Sequence, residues 1–332
     1  MSALVPDGAA PSTSLWHAAR VNRSVACPSG PGQPAGLLYN HLSKTGGTTV
    51  QDVVFPAVCG RGNKLSARKH YSGDESAFKG RDGCVLQRDI DYSMNVNARD
   101  ASIFYVLGSI REPCDYYLSL WSFISDCHRK NPKASMFQNT PAWKYAWKSG
   151  GLGLSPPYNN SRDIGRFHEW HRSLHKAYER GDSYEQRVNA GKELYAERVA
   201  RRYGSFDNVH CWMRTSTLLE DATTCVDRYT GDCQGNVRGK AWRWHLEHAL
   251  ESSRKGPPGK AEKASAHASC GGFFGAEAEA KLMAREESVL SARGFPSFAD
   301  FGIRSCCAEA SLGSTRFREM TLSLFNGGRA EC

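Results

Sequence analysis

The chain has 332 residues, of which 40% are hydrophobic and 23% charged, and Lys plus Arg exceed Asp plus Glu by nine (43 − 34). That length allows a sizeable core, as one large α/β domain or two smaller ones, and the composition is that of a globular chain rather than a fibrous or disordered one. A pI near 9.0 favours acidic partners such as nucleotides, acidic glycans or an anionic surface, while the lack of a dense basic block, an RNA-binding signature or a zinc-finger signature argues against nucleic acid.

Residues 1–35 are rich in Pro, Gly, Ser and Ala without periodicity and read as a disordered leader, so the folded domain is expected over 36–332. An apolar run at 37–42 predicts a first strand, and 46–58 opens a helix. The polar, glycine-punctuated stretch 60–83 has loop character, and 84–93 starts as a short strand. "SIFYVLGSI" (102–110) is apolar throughout, as a strand buried on both faces should be. A helix follows with Pro113 in its first turn, where proline is tolerated. Long polar helices are expected over 161–203, a strand over 207–215, a helix over 241–253, a mobile basic loop after it and a last amphipathic helix over 276–292. Strands alternating with helices predict a parallel sheet covered on both faces.

Twelve cysteines occur without a C-x-x-C pair, so zinc and thioredoxin chemistry lose their usual spacing and disulfides in a secretory compartment explain the count better. Cys225 and Cys233 would close a short loop, and Cys306 and Cys307 are adjacent. Asn22-Arg23-Ser24 and Asn159-Asn160-Ser161 are glycosylation sequons. No apolar run of about 18 residues and no signal-peptide core is visible, so membrane attachment would need an anchor outside this chain.

The informative stretch is "LLYNHLSKTGGTTVQDVV" (37–54), a strand, a glycine turn and a helix start. Free amides at a helix N-terminus attract anions. Gly46 and Gly47 let the backbone approach closely, Thr48 and Thr49 add hydroxyls, and Lys44 adds a movable charge. Lysine precedes the glycines, so this is not a Walker loop. "SKTGGTT", Ser43 to Thr49 with Thr45 included, instead resembles the 5′-phosphosulfate loop of sulfotransferases that use 3′-phosphoadenosine 5′-phosphosulfate (PAPS).

A second stretch, "YVLGSIREPCDYYLSLWSF", resembles the 3′-phosphate motif of the same family: a buried strand, R-[DE]-P, and a serine eight residues after the arginine. Arg111 would offer its planar fork to the 3′-phosphate, and Ser119 one hydroxyl. The clear resemblance covers about residues 37–125. It implies a P-loop-like, doubly wound parallel sheet flanked by helices in a single α/β domain, PAPS as co-substrate, no metal, and a Golgi or secretory location. Weaker likenesses are "CWMRTSTLLED" (211–221), where Thr215 and Ser216 would pass near adenosine, and "SRKGPPG" (253–259), similar to a lid in which Arg254, Lys255 and Gly256 close over the 3′-phosphate. Uronyl 2-O enzymes often have arginine where this chain has Tyr116.

The implied reaction is sulfuryl transfer from PAPS to a glycan hydroxyl, and it needs a group that takes the hydroxyl proton. Lys44 would stabilise the leaving oxygen. The histidine motif of heparan sulfate 2-O enzymes is missing from the interval between the two phosphate motifs. Asp89 and Asp91 there share one strand face, and Asp89 is the first candidate base, although it also reads as a solvated strand-edge carboxylate. His70 is the second candidate, and His41 reads as shaping the turn. Alternatives are sulfation of a small molecule or protein tyrosine, or an inactive nucleotide- or glycan-binding protein. The expected partner is an acidic glycan.

Overall fold

The structure is a computed structural model that describes residues 36–59, 84–87, 95–130, 158, 160–233, 241–255 and 270–308. The expected leader lies outside the described residues, as do Asp89, Asp91, His70 and Gly256.

Four strands form a parallel sheet in the order β2-β1-β3-β4: β1 (Gly36–Asn40), β2 (Cys84–Gln87), β3 (Phe104–Ile110) and β4 (Cys211–Arg214). Leu38 is in register with Val85 on one side and Val106 on the other, and Gly108 with Trp212. Parallel neighbours need crossovers, and helices supply them. Between β1 and β2 lies α1, one helical stretch that is α-helical over Gly47–Thr49, π-helical over Val50–Val54 and α-helical again over Phe55–Cys59. Helix α2 (Ala98–Ile103) leads into β3. Between β3 and β4 come α3 (Pro113–Lys130), α4 (Ser161–Glu179), α5 (Tyr184–Asn189) and α6 (Tyr195–Tyr203). After β4 follow α7 (Leu218–Gly231), α8 (Trp242–Lys255) and α9 (Ala276–Ala292).

The period-two geometry of strands divides the core into two layers. Leu38, Phe104, Val106, Ile110 and Trp212 face α3, α4, α6 and α9, where Trp121, Phe167, Trp170, Val199 and Leu290 are buried with Phe295, Phe298 and Phe301 of the segment after α9. Leu37, Tyr39, Tyr105, Leu107, Cys211 and Met213 face the other way, against Val50, Val54, Phe55 and Val58 of α1 and Leu218, Leu219, Ala222 and Val226 of α7. Both faces are therefore covered, as the apolar run of β3 predicts. Each fully buried Leu, Val or Phe contributes about 1.5–3 kcal/mol.

Three expectations need correcting. The strand expected from 102 begins at Phe104, because Asn97 and Asp100 form a capping box that starts α2 and holds the chain helical to Ile103. Within 207–215 only Cys211–Arg214 is strand, and Phe206–Asn208 is a 3₁₀ turn. Cys225 does not close a loop with Cys233. Helix α7 carries the chain about 9 Å onward from Cys225 to its end at Gly231, at about 1.5 Å per residue, and Cys225 bonds Cys211 of β4 with Cα atoms 5.6 Å apart. Cys114–Cys306 and Cys270–Cys307 are also bonded, so the adjacent pair splits between α3 and the 3₁₀ turn Cys270–Gly272. These bonds fit a secreted or lumenal protein. No helix among the described residues is long and apolar enough to cross a membrane.

Candidate functional site

From β1 the chain crosses to β2 on one side, and β3 then returns on the other side of β1. The β1–β3 junction is therefore the point where the direction of winding reverses, which is the usual ligand position of an open α/β sheet. The loop after β1 carries Lys44, and the turn after β3 carries Arg111.

The first loop is held rigidly from below. Asn40 Nδ2 donates to Arg202 O at 2.9 Å, and Arg202 Nη2 donates to His41 O at 2.8 Å. A chain of hydroxyls crosses from strand to loop. Thr45 Oγ1 donates to Leu42 O at 2.6 Å, which leaves Ser109 Oγ to donate to Thr45 and Tyr39 to donate to Ser109, at 2.6 and 3.0 Å. The Thr45 hydroxyl proton is thus used in tying the loop to β3. Lys44 (φ 66°) and Gly46 (φ 85°) both adopt the left-handed conformation, so the loop curls tightly. A Cβ on Gly46 would lie 2.6 Å from Leu218 Cδ2, and one on Gly47 only 1.7 Å from His41 Nε2. Only glycine fits under that imidazole, so His41 does shape the turn.

Helix α1 starts directly above. Gly46 caps it without a side-chain hydrogen bond, and the first intrahelical amide bond is Val50 N to Gly46 O at 3.1 Å. The amides of the first turn carry the partial positive charge of the helix end. The π-helical turn that follows is a departure that recurs at functional sites. Thr49 is buried beneath. The Lys44 ammonium stands 4.2 Å from the centroid of the Phe123 ring on α3.

The second turn meets the first. Arg111 Nη1 donates to Lys44 O at 2.9 Å, and Arg111 N donates to the Tyr195 phenol oxygen at 2.7 Å. The left-handed backbone at Lys44 goes with a carbonyl placed where the guanidinium reaches it. Glu112 is buried, and burial raises its carboxyl above the usual range against the opposing hydrogen bond from Ser216. Thr215 Oγ1 donates to Ile110 O at 3.2 Å. Thr215 and Ser216 therefore adjoin the Arg111 turn. Pro113 opens α3, whose end is closed by a partner: Cys114 N donates to Cys306 O at 2.9 Å, and Ala308 N to Asp115 Oδ2 at 2.5 Å. Among the described residues no side-chain cap closes the α1 end in that way. Ser119 is buried on α3, and Tyr116 stacks on Tyr195 with centroids 4.0 Å apart.

Lys44, Thr45, Gly46, Gly47, Thr49 and Arg111 are thus brought to one edge, with Ser119 on the helix behind Arg111. Arg254 and Lys255 fall in the last turn of α8 rather than in a loop, because that helix continues two residues past its expected end. Among the described residues no metal-ligand cluster lies around Lys44. The sulfurs of Cys114, Cys270 and Cys307 cluster, but all three are taken up in disulfides. Two histidines that sequence patterns did not single out, His171 and His175 on α4, lie Nε2 to Nε2 at 2.9 Å among Phe167, Phe274 and Tyr117. Burial lowers both, His175 to about 3, so they form a neutral pair inside the wall. The segment after α9 was also missed; the adjacent Cys306 and Cys307 were its signal.

Comparison of the chain with models of known families, with curated proteins and with solved structures finds no match.

Proposed function

We propose that the chain transfers a sulfuryl group from PAPS to a hydroxyl of a glycan on a P-loop-like, doubly wound scaffold. The observation that carries this reading is the contact of Arg111 Nη1 with Lys44 O at 2.9 Å, at the carboxyl ends of adjacent parallel strands. One nucleotide with phosphates on both its 3′ and 5′ carbons would need both loops within its own span, and they meet there. A plain mononucleotide would need only the first.

In this reading the amides of Gly46 to Thr49 receive the 5′-phosphate. Arg111 takes the 3′-phosphate, with Ser119 adding a hydroxyl, and charge-assisted bonds of this kind contribute about 1.5–3 kcal/mol each. Lys44 leaves the Phe123 ring for the bridging oxygen. A cation–π contact is worth about 0.5–2 kcal/mol, so an anion competes well for the ammonium. The acceptor hydroxyl attacks sulfur in line, the bond from sulfur to the 5′-phosphate oxygen breaks, and adenosine 3′,5′-bisphosphate (PAP) leaves. The proton passes to a base, for which Asp89 remains the first candidate and His70 the second. Arg254 and Lys255 would add charge over the nucleotide from the end of α8, and Gly256 would permit close approach. The net charge of +9 suits an acidic glycan, and the disulfides suit the Golgi lumen.

The test is incubation with PAPS labelled in its sulfuryl group and a panel of acidic glycans. The expected result is label on one glycan class with equal release of PAP. PAP binding without any PAP release from PAPS would make the protein a nucleotide binder that keeps the scaffold.

A further inference from the structure

We propose that Glu286 is a positioning residue for the Arg111 turn, acting through Tyr117 and Tyr195 to hold that turn ready for the 3′-phosphate. The proposal rests on the reading of Arg111 as the 3′-phosphate residue. Its basis is a continuous hydrogen-bonded path through the larger core layer. Glu286, fully buried on α9, accepts from Tyr117 Oη at 2.5 Å and from Ala196 N at 2.7 Å. Tyr117 Oη in turn accepts from Tyr195 N at 2.9 Å. The Tyr195 phenol oxygen, at the far end of its side chain, accepts from Arg111 N at 2.7 Å. The Tyr195 ring is clamped between Tyr116, 4.0 Å away, and Phe298, 6.2 Å away, both near parallel to it.

Each link answers a need. The first amides of α6 have no helical partner, and the Glu286 carboxylate and Tyr117 hydroxyl satisfy two of them. Leu194 N is satisfied by Glu197 Oε2 at 2.9 Å. The start of α6 is thus fixed, and with it the direction in which Tyr195 points. Arg111 is then held at two places, its amide by Tyr195 and its guanidinium by Lys44 O. Loss of Tyr195 as acceptor would free the amide and let the guanidinium swing with its backbone. A buried carboxylate on a helix 17 residues long would be a costly choice if it served packing alone.

The path also contains a group that titrates near neutrality. Burial pushes Glu286 up to about 7, opposed by the hydrogen bonds from Tyr117 and Ala196; Glu197 raises it further and Arg285 lowers it. The other groups facing this region are Tyr116 on α3, His171 and His175 on α4, and Tyr195 on α6. Burial keeps both histidines neutral there, and it raises the phenols of Tyr117 and Tyr195 well above their usual value. Arg285 is paired with Glu179 Oε1 at 2.6 Å. Glu286 is therefore the group that changes charge between pH 6 and 8. As a carboxylate it accepts from both donors. As an acid it brings a proton of its own into a place where both neighbours already donate, and the path loses a link.

The experiment compares wild type, Tyr195→Phe and Glu286→Gln by two readouts. The first is hydrogen exchange at the Arg111 amide. The second is the ratio of affinities for PAP and AMP, which differ only in the 3′-phosphate, measured by calorimetry at pH 6 and pH 8. Tyr195→Phe is expected to speed exchange at Arg111 by about tenfold or more and to lower the PAP-to-AMP ratio about 5–10-fold with AMP affinity unchanged. In wild type the ratio should be higher at pH 8 than at pH 6, and Glu286→Gln should remove the part of that change that the 3′-phosphate's own titration does not supply. If Glu286→Gln does not fold, Tyr117→Phe breaks the same path one link along and is read in the same way. Unchanged exchange in Tyr195→Phe, or the same pH change in Glu286→Gln as in wild type, overturns the proposal. Equal affinity of wild type for PAP and AMP would instead sink the 3′-phosphate reading, and with it the ligand half of the proposal; the exchange readout would still decide whether the path holds Arg111.

Discussion

On the side of the sheet covered by α1, α7 and α8, the described core is made of aliphatic residues, Phe55, three tyrosines, and cysteines in disulfides. On the opposite side, Glu286, His171, His175, Asp163 and Arg166 lie among the aromatic residues between α3, α4, α6 and α9. In the first layer, among the described residues, burial raises the phenols of Tyr105 and Tyr229 away from neutrality, Tyr229 to about 12. In the second, burial raises Glu286 to about 7. The difference follows what each layer supports. The apolar layer is a firm bed for α1, whose N-terminus forms the first anion loop. The polar layer reaches the Arg111 turn by hydrogen bonds, which fix direction as well as position, at the cost of sensitivity to pH.

The largest expected effect would test the apolar layer. Phe55→Ala should lower unfolding free energy by about 3–5 kcal/mol, because α1 cannot collapse onto the vacated space, and urea denaturation should give the same loss at pH 5 and pH 8. A loss that varied with pH would mean that this layer is coupled to titrating groups after all.

Glu286→Gln probes the other layer. The Glu286 pKa is raised from 4.5 to about 7 in the folded protein, so its contribution to stability is fully present below 4.5 and is lost as pH rises through about 7. The difference between wild type and variant in unfolding free energy should therefore fall by about 3 kcal/mol between pH 4.5 and 8. His175 acts with the opposite sign. Its pKa is lowered from 6.5 to about 3, so its contribution is present above 6.5 and lost as pH falls toward 3, and His171 acts in the same direction. Wild type should be most stable near pH 6.5. A flat curve from denaturation across this range would contradict the account of this layer.

Arg111→Ala should leave stability almost unchanged without ligand but remove most of the stabilisation by PAP, which is about 2.7 kcal/mol at one hundred times the dissociation constant. Thermal shifts with and without PAP measure it. The smallest effect expected is that of Gly47→Ala, about 1–3 kcal/mol from the clash with His41. Placing His41→Ala beside it should restore part of the loss in a double-mutant cycle, because the ring that collides is then gone.

The sequence made some of this visible and hid the rest for physical reasons. β1 and β3 could be read because strands buried on both faces are apolar without alternation, and α9 because Leu282, Val289 and Leu290 recur on one helical face. That Lys44 and Arg111 share an edge was an expectation from two local motifs, and the β1–β3 pairing brings them together. Asn97 and Asp100 announced α2, but the apolar residues after them read as strand. The Glu286 path could not be read at all. Its links join Tyr195 to Tyr117, Ala196 to Glu286 and Tyr117 to Glu286 across 78, 90 and 169 positions of sequence, and no local pattern marks which buried carboxylate meets which phenol. Cys225 failed for a similar reason, since spacing alone does not say that α7 packs Cys225 against Cys211 of β4.

The central claim is that the β1 and β3 loops together read both phosphates of one nucleotide. Calorimetric titration of the wild-type protein with PAP and with AMP at pH 8 tests it most directly. The account predicts that PAP binds about 10–100-fold more tightly, the worth of one or two charge-assisted bonds to the 3′-phosphate. Equal affinity for the two nucleotides, or binding of neither, would contradict it.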